Sequence, residues 1–83
     1  MLRSILQLLS LNFLAKILKN NLPDLRKERG LSQEGLARIL NVSRQTINAI
    51  EREKYDPSLP LALKISKVFG KKVEEIFFPE DEK

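Results

Sequence analysis

The 83-residue chain contains no cysteine and no histidine. Thiol or imidazole catalysis, a Cys/His zinc site and a disulfide framework are therefore excluded. The lack of cysteine also fits a reducing, cytoplasmic setting. No nucleophile–base pair and no Gly-rich phosphate loop is present, so the chain does not read as an enzyme and no cofactor is expected. Strand-like alternation, internal repeats and low-complexity segments are missing too. So are long apolar runs. Residues 1–19 are rich in Leu and Ile, but Gln7, Ser10, Asn12 and Lys16 interrupt them. A membrane span needs about 20 mostly apolar residues, and a secretory signal wants a cleaner apolar centre and a small-residue cleavage site. Neither is expected here.

What is present is charge, unevenly placed, and helical periodicity. The net charge is +4. Residues 1–20 hold Arg3, Lys16 and Lys19 with no acid, whereas residues 21–83 are close to balanced, with 12 basic and 11 acidic residues. Bulk charge therefore does not announce a nucleic-acid binder, and any such argument rests on where the charges sit. The length fits one small domain, adequate for a helical bundle with little surplus stability.

Along the chain, Leu2, Ile5, Leu6, Leu9, Phe13 and Ile17 recur at helical spacing, with Arg3, Ser4, Gln7 and Ser10 opposite. They predict an apolar helical extension over residues 1–20. It would dock on the domain, on a second copy or on another protein. Asn20-Asn21 offers a break. Pro23 suits the first turn of the next helix, which Gly30 ends as a left-handed cap. Ser32 caps a helix from about Gln33 to Leu40, and Asn41 takes the sharp turn, being the commonest non-Gly residue at positive φ. Ser43 caps a helix from about Arg44 to Arg52, and Ser58 one from about Leu59 to Phe69, with Pro60 in its first turn and Gly70 at its end. A short fifth helix over about 73–77 stops before Pro79. Residues 79–83 form an acidic tail.

The stretch SQEGLARILNVSRQTINAIERE, residues 32–53, carries the functional signal. Leu36, Ala37, Leu40, Val42, Ile47 and Ile50 face inward, with Ala37 where two helices cross closely. A turn of three to four residues separates the helices. This is the helix-turn-helix pattern, in which the first helix props the second outward. On the outer side of the second helix, Arg44, Asn48 and Arg52 are four apart and Gln45 flanks Arg44. Arg pairs with guanine O6 and N7, and Asn or Gln with adenine N6 and N7, in the major groove, at about 1–3 kcal/mol of discrimination each. Thr46 could offer its methyl or hydroxyl. The helix N-terminus at Gln33 presents free N–H groups to a phosphate, and Lys54 and Tyr55 in the following loop reach another.

Residues 22–77, and LRKERGLSQEGLARILNVSRQTINAIEREKYDPSL above all, resemble the Cro/C1-repressor family of helix-turn-helix regulators, also called the xenobiotic-response-element type. The resemblance implies an all-α, five-helix, lambda-repressor-like DNA-binding domain over residues 21–78, here with the additional N-terminal helix. It implies base contacts from Arg44, Gln45 and Asn48, and backbone contacts from Gln33, Ser43 and Lys54. It also implies a structural ion pair between Arg26 and Glu51. The partners would be double-stranded DNA and a second copy, on a two-fold site with half-sites about 10 bp apart. Four residues depart from the family pattern. Asn41 and Glu53 stand where Gly is usual, Gly35 where Glu is common, and Ser66 where Ala is usual. Small members of the family begin at the equivalent of Leu18-Lys19-Asn20-Asn21-Leu22. Residues 1–17 are then either an added segment or an over-extended start, and an antitoxin-like module using that segment is the alternative reading.

Other polar clusters carry less. Lys71 and Lys72 lie across a turn and read as solvated. Glu74-Glu75 and Glu80-Asp81-Glu82 have no His or Cys beside them and read as solvated faces, with no metal expected. Phe77 and Phe78 have few basic neighbours and read as core and interface rather than as a base-stacking platform.

Overall fold

The structure, a computed structural model, describes residues 18–79. The expected N-terminal helical extension and the acidic tail fall outside these residues, apart from Leu18, Lys19, Asn20 and Pro79. Five helices follow one another: α1 (Leu22–Glu28), α2 (Gln33–Leu40), α3 (Arg44–Glu51), α4 (Leu59–Phe69) and α5 (Val73–Ile76). Two short strands join the ends, β1 (Lys19–Asn20) and β2 (Phe77–Phe78), paired antiparallel with Lys19 opposite Phe78 and Asn20 opposite Phe77. The expected helix through Lys19 is thus corrected in its last residues, and the absence of strands is corrected too. Two residues give no readable alternation, and this pairing depends on the chain ends meeting.

The helices start where side chains can cap them. Ser32, Ser43 and Ser58 each accept the N–H three residues on, from Gly35, Thr46 and Leu61. This meets one of the donors that a helix N-terminus leaves free. At α5 the cap is reversed: the Glu75 carboxylate accepts the Lys72 N–H at 2.8 Å.

The helix ends share a geometry. After α1, Gly30 is left-handed (φ 67). The Gly30 N–H bonds the Lys27 carbonyl, and the Leu31 N–H bonds that of Arg26. After α3, Glu53 takes the place of the glycine (φ 61), with its N–H on the Ile50 carbonyl and the Lys54 N–H on that of Ala49. Both are Schellman closures. Asn41 is left-handed as well (φ 60). The two positions where the family pattern expects Gly and this chain has Asn or Glu are therefore both left-handed. Asn tolerates that conformation readily and Glu does not. Ser66, in place of the usual Ala, donates its hydroxyl to the Lys71 carbonyl just past the end of α4.

One core lies among the helices. Leu22, Leu25, Leu36, Leu40, Ile47, Ile50, Ile65, Phe69, Ile76 and Phe77 are buried in it, together with Ala37 and Ala62. Val42 packs against its edge. No polar or charged residue among those described is fully buried, so apolar burial, at about 25 cal/mol per Å², dominates the cohesion of the domain. Leu36 and Leu40 on one side, and Ile47 and Ile50 on the other, lock α2 against α3, which fixes the outward face of α3.

Candidate nucleic-acid interface

The inward grip on α3 begins at its C-terminal end. Glu51 Oε2 accepts from Arg26 Nε at 2.7 Å, and Oε1 from Arg26 Nη2 at 3.1 Å. Arg26 Nη1 also donates to the Leu31 carbonyl at 2.8 Å. The Glu51 hydrogen bond raises the Arg26 pKa above its ordinary value; burial works against the rise, and attraction to the Glu51 charge adds to it. Asn20 holds the same end from another side. Its Nδ2 donates to the Ile50 carbonyl at 2.9 Å, and its Oδ1 accepts the Leu22 N–H at 3.0 Å. The Ile50 carbonyl, which already accepts the Glu53 N–H, thereby gains a second donor. Just beyond, Lys19 Nζ lies 3.7 Å from Glu53 Oε1, and the Leu18 N–H donates to Asp56 Oδ1. Sequence reasoning missed this latch. Asn20 reads only as a break, and its partner on α3, Ile50, is 30 residues away.

The outer face of α3 is left open. Arg44 and Gln45 are exposed, and Thr46 and Asn48 half-buried. Glu51 is the only acid on α3 and is turned inward to Arg26. Among the described residues, Arg44, Arg52 and Lys54 are in no ion pair, whereas Arg26, Arg38 and Lys19 each are. The face therefore presents uncompensated positive charge, although residues 21–83 as a whole are nearly balanced.

Several expected contacts are more committed than their spacing suggested. Ser43 Oγ accepts the Thr46 N–H and lies 2.9 Å from Thr46 Oγ1, sharing a hydrogen with it. The hydroxyls of both residues are thus engaged locally, and Thr46 has its methyl left to offer. Gln33 turns its side chain inward. Its Nε2 donates to Glu51 Oε1 at 3.0 Å and to Asn48 Oδ1 at 3.3 Å. Its backbone N–H, in the first turn of α2, has no acceptor among the described residues. Asn48 Oδ1 is thus held from α2, while Asn48 Nδ2 has no partner among the described residues and stays available outward. Tyr55 and Lys54 are exposed in the loop after α3. The described residues contain no cluster of acidic or other ligating side chains that could hold a metal ion.

Comparison with known proteins agrees with this geometry. A helix-turn-helix family model matches residues 24–76. The chain is 58% identical over 65 residues to an uncharacterized helix-turn-helix-type transcriptional regulator of Methanocaldococcus jannaschii, covering 78% of this chain and 98% of that one. It is 49% identical, with the same coverage, to an uncharacterized regulator of that type from Bacillus subtilis. Among solved structures, the restriction-modification controller protein C.AhdI of Aeromonas hydrophila superposes with a TM-score of 0.58 at 33% identity, over 65% of this chain and 78% of that one.

Proposed function

The chain belongs to the Cro/C1-type helix-turn-helix family of DNA-binding transcriptional regulators, and from that premise we propose that it is a sequence-specific repressor acting in the cytoplasm. It binds double-stranded DNA as a homodimer on a two-fold site. α3 lies in the major groove. Arg44, Gln45 and Asn48 contact base edges, with the Thr46 methyl beside them. The Gln33 N–H, Ser43, Lys54 and Tyr55 contact phosphates and set the register.

The observation that carries this reading is the two-sided character of α3. Ile47, Ile50 and the one acid are turned inward, while Arg44, Gln45 and Asn48 Nδ2 are left without a partner among the described residues. Two half-sites follow from energetics, since specific binding at about 10⁻⁸–10⁻¹¹ M takes more contacts than one small domain offers.

Selection from a random DNA pool tests the reading, followed by titration of the selected site with wild type and with the Arg44→Ala/Asn48→Ala variant. A palindromic site is expected, with a loss of about 2–6 kcal/mol in the variant from two base contacts. Failure to select any site, or equal binding by the variant, would remove α3 as the reader.

A further inference from the structure

We propose that Asn20 and Asp56 are positioning residues for DNA binding. They tie the loop after α3, residues 52–57, to the segment that precedes α1, and so fix where Lys54 and Tyr55 stand. This rests on the reading above, in which those two residues meet phosphates.

The two segments meet in a row of contacts. Three consecutive residues of one reach three points of the other, in antiparallel order. Asn20 Nδ2 donates to the Ile50 carbonyl at 2.9 Å. Lys19 Nζ lies 3.7 Å from Glu53 Oε1. The Leu18 N–H donates to Asp56 Oδ1 at 2.9 Å. Lys54 and Tyr55, both exposed, lie between the last two points. Lys54 forms no ion pair among the described residues, so the backbone beneath it sets its aim.

The segment that holds the loop is itself held. Lys19 and Asn20 pair with Phe78 and Phe77 of β2, and Phe77 is buried in the core. Asn20 Oδ1 accepts the Leu22 N–H at the start of α1, so both polar atoms of this side chain are engaged within the protein. A line of contacts thus runs from the core through β2 and β1 to the loop.

The loop needs this hold. Glu53 is left-handed (φ 61), a conformation that a residue with a side chain keeps only where its surroundings determine it. The turn closes through the Glu53 N–H on the Ile50 carbonyl, and Asn20 donates to that same carbonyl. The Lys19–Glu53 pair is long and exposed and adds little, so Asn20 and Asp56 carry the hold. A loop ordered before DNA arrives spares binding the cost of ordering it.

The test is titration of the selected DNA site at several salt concentrations. Asn20→Ala changes no charge, yet it is expected to weaken binding severalfold. It should also lower the slope of log K against log salt, toward the ~0.9 that one phosphate contact contributes. Combined with Lys54→Ala, it should add little. Asp56 is exposed, so its variants keep the fold. Asp56→Asn and Asp56→Ala remove the same charge, but only asparagine keeps an oxygen for the Leu18 N–H. The alanine variant should bind more weakly than the asparagine one. An Asn20→Ala variant with a lower Tm but unchanged affinity and slope is a structural loss only, and overturns the proposal. So do losses that add fully to Lys54→Ala, or Asp56 variants that bind alike.

Amide hydrogen exchange without DNA gives a second readout. Asn20→Ala should speed exchange at the Glu53 and Lys54 N–H groups about fivefold, the equivalent of one hydrogen bond. The amides of α2 should keep the wild-type rate. Unchanged exchange in the loop overturns the proposal even if affinity falls. Failure of the phosphate reading looks different: Lys54→Ala then binds as wild type while the loop still loosens without Asn20, and the role in DNA binding falls with that reading.

Discussion

Glu51, the last residue of α3, grips Arg26 of α1 at two points, 2.7 and 3.1 Å apart, with side chains only 5% and 11% exposed. Exposed pairs contribute about 0–1 kcal/mol, but removing one partner of a shielded pair strands the other. Glu51→Ala leaves Arg26 Nε and Nη2 without their acceptor and removes one of the two that Gln33 Nε2 uses, and a loss of about 2–4 kcal/mol is expected. Thermal denaturation reads it. Arg26 has a raised pKa in the folded protein, so its contribution is full below the unfolded value and is lost only in strongly alkaline solution. The gap in Tm between wild type and variant should therefore not close through this group between neutral pH and about pH 10. A gap that closes by pH 9 would contradict the assignment.

Ser43 separates folding from binding. Its hydroxyl caps α3, and Ser43→Ala should cost about 1 kcal/mol of stability. Ser43→Asp keeps a capping oxygen and adds a favourable charge at the helix N-terminus, so stability should be retained. The same charge faces phosphate in the proposed complex, and affinity for the selected site should fall. Denaturation and titration on one preparation check both halves; an aspartate variant that is stable and binds normally would remove Ser43 from the interface.

The caps at Ser32, Ser43 and Ser58, the left-handed Gly30 and Asn41, and the inward set from Leu36 to Ile50 were legible because each is a local rule of three or four residues. The Arg26–Glu51 pair was legible only through family resemblance, its partners being 25 residues apart. The Asn20 latch and the β1–β2 pairing were not legible. They join segments distant in sequence, and neither end carries a pattern that announces the other. The inward turn of the Gln33 side chain was hidden for a similar reason, since a helix N-terminus shows which N–H groups are free but not where its side chains go.

Glu53 holds a left-handed backbone that costs a residue with a side chain about 1 kcal/mol. Its ion pair with Lys19 is 3.7 Å long and more than a third exposed on both sides, worth a few tenths of a kcal/mol at most. The strain outweighs the pair. Glu53→Gly should therefore stabilise the domain by about 0.5–1 kcal/mol. A lower Tm would show that Glu53 makes a contact beyond Lys19.

Lys54 and Arg44 should differ in kind. Losing a phosphate contact weakens all sequences alike and lowers the slope of log K against log salt by about 1, while losing a base contact relaxes specificity at one position. Lys54→Ala is expected to show the first pattern, and Arg44→Ala mainly the second. Titrations of the selected site and of a scrambled duplex at several salt concentrations separate them.

Gln33 and Asn48 are joined across α2 and α3 by a bond of 3.3 Å from Gln33 Nε2 to Asn48 Oδ1. That bond decides which end of the Asn48 amide is free. With Oδ1 held, Nδ2 is the group that the proposed complex would present to a base, and an acceptor such as guanine O6 or thymine O4 suits it. Adenine, which asks Asn for both a donor and an acceptor, can use only the second lone pair of Oδ1. If Gln33 acts through Asn48, the two substitutions are not additive. Gln33→Ala and Asn48→Ala should each weaken binding, and the double variant should be little worse than Asn48→Ala, with a coupling of about 0.5–3 kcal/mol. Gln33 also bonds Glu51, so stability is measured alongside to separate a loosened α3 from a misdirected amide. Additive losses in affinity would mean that Gln33 meets DNA independently, through its own side chain swung outward, and that Asn48 needs no support from α2.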